Sequence, residues 1–440
     1  MEGLPLRVQT HLIWNKNGAE ETMLKRRFGR AFTLCLALAS IAGISKAIAA
    51  DLVTDWGARA VAIGAEKQLP NARYTRNLAM THVAMFEAVN AIDRRYQPYK
   101  LDLPGDKGAS KEAAAAAAAH AVLINLFPEE KAKLDQELQT SLAAIADADA
   151  KGKGAELGKK AAAGIIALRA EDGSSAPESY RPFTRPGVYV PTALPIESTS
   201  GAIQPWIMEK GAQFRPLPPP ALDSEVWTRD VNEIREIGSL KSKTRTLEQT
   251  EIARFWFLTG PRSYTPLVQQ VAEGKKMDLV DCARLYALVA MATSDAFIAV
   301  FDAKYAHNFW RPITAIRNAD LSSNPATPRD PSWAPLGVTP AHPEYPCAHC
   351  IVAATVAEVL QKVAGSDIGE LTLTSALSPG VTRKWTRLED YSMEVALARI
   401  YAGFHYRFST EAANAMGKKI GDLAVTTQLL PAAGPKTAKQ

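Results

Sequence analysis

Three short segments in the last third of the 440-residue chain concentrate side chains suited to holding an oxyanion. In Lys304-Tyr305-Ala306-His307-Asn308-Phe309-Trp310-Arg311-Pro312 the two long cations are seven residues apart, so on a helix they share a face about two turns from each other. Pro312 disfavours helical geometry at Arg311, which predicts a helix end there and a guanidinium aimed past it. In His342-Pro343-Glu344-Tyr345-Pro346-Cys347-Ala348-His349-Cys350 the small residues after Pro346 fall where the next helix should begin. The backbone N–H groups of Cys347 and Ala348 are then expected to face an anion, with His349 in the first turn as a proton-exchanging group. In the third segment Arg399 precedes His405 by six residues, about 240° apart on a continuous helix. For both to reach one site the helix must break between them, and Gly403 is the expected place. Taken singly, these patterns are equally those of solvated surface cations, a structural histidine and a helix end.

The elements that must position these residues read almost entirely as helix. Apolar residues recur at three- and four-residue steps from Asn71 to Ile92, and seven consecutive alanines from Ala113 mark a strong helix former over Ser110 to Leu126. Further helices are expected over 129–146, 154–168, 224–237, 246–258, 279–310, 347–363, 389–401 and 410–430. The expected architecture is an all-α helical bundle with irregular Pro- and Gly-rich connections over 172–222 and 322–346, and no run of alternating strands. The segments divide into a leader over 1–50, an N-terminal helical part over 51–171, the connection 172–222, the bundle with the site over 223–430 and a tail over 431–440.

Charge and composition narrow the function classes. The chain carries +5 formally, but residues 1–50 hold seven Lys and Arg against three Asp and Glu, leaving 44 against 43 elsewhere. A nearly neutral remainder argues against nucleic-acid binding, which needs a concentrated basic face. Lys25, Arg26, Arg27 and Arg30, the apolar run Ala31 to Ile44 and the small residues Ala47-Ile48-Ala49 read as a secretion signal cut near Ala49 or Ala50, with Met23 the expected start. A periplasmic or secreted protein is expected, with an uncleaved anchor as the alternative. The longest apolar stretch beyond the leader, Leu285 to Phe301, contains Ser294 and Asp295 and reads as a core helix, so integral membrane association is not expected. Of the four cysteines, Cys35 lies in the leader, and Cys282, Cys347 and Cys350 can form at most one internal bridge. Cys347-Ala348-His349-Cys350 has the wording of a thiol–disulfide motif, but without a strand–helix context, and a zinc site would lack its fourth ligand.

In combination, a Lys, six residues and Arg-Pro, then Pro-small-small-His, then an Arg, five residues and His resemble the three-part signature of the vanadium-dependent haloperoxidase and type 2 phosphatidic acid phosphatase superfamily. The wording of Phe309-Trp310-Arg311-Pro312 and His342-Pro343-Glu344-Tyr345-Pro346, and the Ala79 to Ile92 stretch, are similar to the soluble haloperoxidase branch. The resemblance implies that Lys304, Arg311, Arg399 and the Cys347–Ala348 backbone hold vanadate, or phosphate competing for the same place. It also implies His405 as the axial metal ligand or phosphoryl-accepting nucleophile, and His349 as the acid/base group. His342 occupies a position that implies bromide or iodide over chloride. Hydrogen peroxide, halide and a small organic molecule are the implied reactants; a phosphatase acting on a phosphate monoester and a non-catalytic oxyanion-binding bundle are the alternatives. Three residues depart from the pattern: Cys347 stands for a serine, Ala348 for a glycine and Ser409 for an aspartate. The acid that braces Arg399 is not identifiable, and the oligomeric state stays open, a homo-oligomer included.

Overall fold

The computed structural model describes residues 41–258, 260–322 and 324–432; most of the expected leader and tail lie outside them. Its helices run α1 (Ile41–Glu66), α2 (Asn71–Ile92), α3 (Lys111–Leu126), α4 (Lys131–Ala143), α5 (Ala148–Leu168), α6 (Glu225–Ile237), α7 (Leu247–Phe255), α8 (Thr265–Gly274), α9 (Leu279–His307), α10 (Pro312–Arg317), α11 (Ala348–Ala364), α12 (Leu388–Tyr401) and α13 (Arg407–Thr427). Local chemistry sets several boundaries. Ser110 caps α3 by accepting from the Ala113 N–H, Asp278 caps α9, and Thr246 with Gln249 forms a reciprocal capping box on α7. At the far end of α9, Asn308 adopts a left-handed φ of 48°, which stops the helix before Arg311.

α9 is the central element. Almost every side chain from Leu279 to Lys304 is buried, and it packs on α2, α11 and α13. Among the described residues it is the one helix long and apolar enough to cross a membrane, and its surface is covered by the bundle. Around it, close approaches depend on small residues. The alanine run of α3 meets Gly154 and Gly158 of α5, where a Cβ on Gly158 would lie 2.3 Å from the Ala114 carbonyl oxygen. One apolar core thus joins α1, α2, α3 and α5 to α8, α9, α11, α12 and α13. A second cluster, including Trp227, Phe309, Trp310, Tyr406 and Phe408, lies around Arg311 and His405 in the sequence and fixes the backbone that carries them.

The irregular connection is tied down by backbone and charge. Tyr189 N–H donates to Asn308 O at 2.8 Å and Trp310 N–H to Gly187 O at 3.0 Å, so the connection pairs with the strand-like stretch between Lys304 and Arg311. The bundle also carries one antiparallel hairpin that the sequence reading did not pick out, β1 (Leu371–Ser375) and β2 (Ser378–Trp385). The alternation of buried and exposed residues in Leu371–Ser375 carries the period-two signal, but over five residues it is too short to stand out between helices. Helices α1, α8 and α10 also go beyond the sequence expectation.

Candidate active site

The second and third segments line a cavity of about 520 Å³ between α9, α11 and α12, and the first lies behind that lining, Arg311 meeting His342 and His405. Lys304 enters from the last turn of α9 and is fully buried. Its Nζ donates to the carbonyls of Pro343 at 3.0 Å and Glu344 at 2.8 Å, leaving the third hydrogen of an ammonium free. Arg311, in extended conformation before α10, donates from Nε to His342 O at 2.9 Å and from Nη1 to Phe404 O at 3.0 Å. Its Nη2 lies 3.0 Å from His342 Nδ1 and its Nη1 3.3 Å from His405 Nε2. Burial lowers the Arg311 pKa to about 10, and burial together with Arg311 lowers Arg399 to about 9. Burial and the Arg311 charge hold Lys304 well below its ordinary value.

The predicted break between Arg399 and His405 falls at Gly403. Helix α12 ends at Tyr401, and Gly403 has φ +78°, where a Cβ would sit 2.4 Å from the Gly238 carbonyl oxygen. The chain then folds back, with the N–H groups of Phe404 and His405 both donating to Arg399 O at 3.0 and 3.3 Å. This turn brings His405 to the side of the cavity that Arg399 occupies. Arg399 has no acid beside it among the described residues. It donates from Nη1 to Trp256 O at 2.7 Å, lies 4.8 Å from the Phe404 ring centroid, and leaves its buried Nε without a partner.

Glu344 is the residue that sequence reasoning missed. Its fully buried Oε1 accepts from His405 Nδ1 at 2.8 Å and from the Tyr406 N–H at 3.1 Å. The contact fixes the His405 tautomer: Nδ1 carries the proton and Nε2 keeps the lone pair, consistent with the Arg311 N–H group beside it. Burial lifts the Glu344 pKa to about 7, with Lys304 and Arg311 pulling against the rise. The available signal was that Glu344 is the sole acid in the three motif segments, while Ser409 replaced the expected one. Burial, then Arg311, Lys304 and Arg399, depress His405 well below the ordinary imidazole range, so it rests neutral.

Two expectations at the start of α11 are corrected. Cys347 and Cys350 are joined as a disulfide, so Cys347 offers no S–H donor, and its Sγ instead accepts from the Cys350 N–H at 3.2 Å. The Cys347 N–H is also committed, to Ser409 O at 3.3 Å. The N–H groups still available at this helix start therefore begin one residue later than expected. The N–H groups of Ala348 and His349, which have no carbonyl four residues back within the helix, take that place. His349 lines the cavity with a buried, unpartnered Nε2, and burial and Arg399 keep it neutral. His342 lines the same cavity, stands edge-on to Phe301 with centroids 5.3 Å apart, and is held neutral by burial, Lys304 and Arg311.

Three buried basic side chains therefore gather here with one carboxylate, Glu344, which Lys304 and Arg311 face and Arg399 does not, and Arg399 Nε and His349 Nε2 lack partners. An anion of compact, oxygen-rich shape would supply what they lack. The comparisons with known proteins agree. A description of the second helical-bundle domain of vanadium chloroperoxidase matches residues 284–430. The vanadium chloroperoxidase of Curvularia inaequalis is 25% identical over 237 residues, a match covering 40% of this chain and 38% of that relative. A structure described as the first bacterial vanadium-dependent iodoperoxidase superposes with a TM-score of 0.77 at 23% identity, covering 88% of this chain and 99% of the other. A holo-type bacterial vanadium-dependent chloroperoxidase gives 0.64 at 17% identity, covering 81% and 92%. Residues 284–430, which hold all three motif segments, thus match the second helical-bundle domain of vanadium chloroperoxidase, and the helical architecture is the fold of the bacterial vanadium-dependent haloperoxidase structures.

Proposed function

We propose that the chain is a vanadate-dependent haloperoxidase that oxidises iodide or bromide with hydrogen peroxide. The observation that carries this reading is the mismatch of buried charge: Lys304, Arg311 and Arg399 against Glu344, with Arg399 Nε and His349 Nε2 unpartnered. Vanadate fits that donor set. Lys304, Arg311, Arg399 and the Ala348 and His349 N–H groups would hold its oxygens, and His405 Nε2 would be its ligand. When bound, vanadate supplies a Lewis-acidic centre at which peroxide becomes an oxidant for halide.

The remaining work falls to the chain's own residues. Glu344 keeps the His405 Nδ1 proton in place, so Nε2 presents its lone pair without a competing tautomer. Arg311 Nη1 must release that lone pair and turn to an oxygen, a shift allowed by its 3.3 Å contact and anchored by its bond to Phe404 O. His349, neutral at rest, takes a proton at Nε2 from incoming peroxide and returns it to the oxygen that leaves as water. Each added negative charge raises the depressed pKa values of Lys304 and Arg399 back towards their ordinary range, so the anion and the charges that hold it stabilise each other.

Iodide and bromide are favoured for a physical reason. Neutral His342 and the aromatic wall offer no fixed charge to offset halide desolvation, which costs less for a larger ion. The iodoperoxidase neighbour supports this choice. The same cradle suits a phosphoryl group, with His405 Nε2 as nucleophile, so the test must separate the two. Triiodide formation should require added vanadate and be inhibited by phosphate. Aryl phosphate hydrolysis that is fastest without vanadate, with no vanadate-dependent iodide oxidation, would overturn the proposal in favour of a phosphatase.

A further inference from the structure

The cavity is larger and more apolar than peroxide and a halide require. Counting about 30 Å³ for each water-sized group, an oxyanion, a peroxide and a halide together take on the order of 200–250 Å³. That leaves about half of the 520 Å³. The rest is walled by Trp256, Phe257, Phe297, Phe301, Tyr391 and Phe404, which gain nothing from contact with a small hydrated ion. Its mouth lies near Ile196 and Val338, the latter 92% exposed despite being apolar. An aromatic chamber with polar groups gathered at one end is the form of a site for an organic ligand.

The charge of the chamber restricts that ligand. No Asp or Glu is among the described lining residues, while Arg399, His349 and His405 lie at the inner end. Glu344 lies behind His405, fully buried and engaged by His405 Nδ1–H and the Tyr406 N–H, and Glu197 faces an adjoining groove. The Glu197 oxygens are occupied by the Ser200 hydroxyl and the Ala72 N–H, so that acid is not free to receive an ammonium. A cationic ligand would enter a positive, low-dielectric end without a counter-charge; a neutral or weakly acidic one would not.

We infer that the chamber binds the organic halogen acceptor itself, and that this acceptor is an aromatic molecule of one or two rings, neutral or phenolic and not an amine. The inference rests on the haloperoxidase reading for its chemistry and on the cavity alone for its binding. In the bound acceptor a ring C–H bond is replaced by carbon–halogen. Peroxide is reduced to two waters as halide and one further proton are consumed, so that ArH + X⁻ + H₂O₂ + H⁺ gives ArX + 2 H₂O. The acceptor then takes oxidised halogen inside the cavity, before it escapes to water.

The test uses the full chain and two probes of matched size, 2-naphthol and 2-naphthylmethylammonium, titrated by calorimetry without vanadate or halide. Naphthol should bind and the ammonium should bind at least about tenfold more weakly. Val395→Phe, which fills the chamber, should weaken naphthol binding by about tenfold, and Val338→Trp at the exposed mouth gives a second variant that leaves the core untouched. Both should retain vanadate-dependent triiodide formation. Equal affinity for the two probes, or naphthol binding indifferent to both substitutions, would overturn the chamber. Naphthol binding that follows the expected pattern in a protein that never oxidises iodide would support the chamber and refute the haloperoxidase reading instead.

Discussion

Arg76, Arg169 and Asp172 are nearly as deeply buried as Lys304, Arg311 and Arg399, yet the two groups are built differently. Asp172 Oδ2 accepts from Arg76 Nε at 2.6 Å and Arg169 Nε at 2.8 Å, and the same arginines donate to the carbonyls of Arg169 and Gln204. The Arg169 guanidinium also lies 4.3 Å from the Trp206 ring. Burial pushes the Asp172 carboxyl up, but Arg76, Ser174 and Arg169 together hold the group below its usual range. No buried polar side-chain atom of that trio lacks a partner among the described residues. At the cavity, by contrast, Arg399 Nε and His349 Nε2 are orphaned, and Arg399 has no acid while Lys304 and Arg311 share Glu344. Buried charge that is fully paired serves the fold, here by stapling the irregular connection to α2. Buried charge left incomplete costs stability and is retained where a ligand completes it.

The comparison is sharpest under His405→Ala. Removing the imidazole takes away the proposed ligating lone pair, and halide oxidation should fall by roughly three orders of magnitude or more. Thermal stability should fall only modestly, because Glu344 Oε1 loses one of its two donors and keeps the Tyr406 N–H. A variant with near-native turnover and normal folding would refute the site. Asp172→Asn should do the reverse. It strands two arginines and should cost about 3–5 kcal/mol of unfolding free energy by denaturant titration, with turnover per folded molecule unchanged.

Asp295 extends the structural side of the comparison. From α9 it accepts the N–H groups of Trp206, Ile207 and Met208 at 2.7, 2.8 and 2.9 Å. Burial nevertheless raises its pKa to about 6, above its ordinary value near 3.8. The folded state therefore holds this proton more tightly than the unfolded chain. The contribution is present in full below about pH 4 and is lost as pH rises through about 6, some 3 kcal/mol in all. Unfolding free energies of the wild type and Asp295→Asn across that window should diverge by about this amount. Parallel curves would show that Asp295 does not titrate there.

Glu344 belongs to both sides, since it is a buried acid that serves the site. Glu344→Gln keeps an oxygen for His405 Nδ1–H and removes the charge, so turnover should drop about 10- to 100-fold with a shifted pH profile. An unchanged profile would mean that the charge is not used.

Much of this was legible in the sequence because helix periodicity and motif spacing are local. The Asn71–Ile92 helix was read to the residue, and the break at Gly403 followed from the six-residue step between Arg399 and His405. Lys304 and Arg311 do lie near each other, but not on one helix face as their seven-residue spacing predicted: α9 stops at His307, Asn308 turns the chain, and Arg311 is extended. What escaped depended on contacts across the fold. The Glu344–His405 bond spans 61 positions, and Arg399 meets Trp256 O across 143. The amides at the start of α11 shifted by one residue because Ser409 O, in another helix, takes the Cys347 N–H. The hairpin was hidden by its shortness between two long helices.

The smallest effect concerns that same helix start. In the disulfide, Cys347 has no hydrogen to donate, so the cradle lacks a donor that a hydroxyl at this position would provide. Replacing both partners, Cys347→Ser with Cys350→Ser, removes the bridge without stranding a thiol and supplies the missing O–H. One ordinary hydrogen bond contributes about 1 kcal/mol net, which corresponds to roughly a fivefold tightening of vanadate binding. Because Cys347 Sγ also caps α11 through the Cys350 N–H, serine is the replacement that preserves capping, so stability should change little. The measurement is a vanadate titration of the wild type, of the double variant, and of the wild type reduced by a phosphine. The double variant should bind most tightly and the reduced wild type should fall between, its thiol being the weaker donor. If the double variant binds more weakly than the wild type, the bridge is shaping the first turn of α11, and the Ala348 and His349 N–H groups depend on it for their aim.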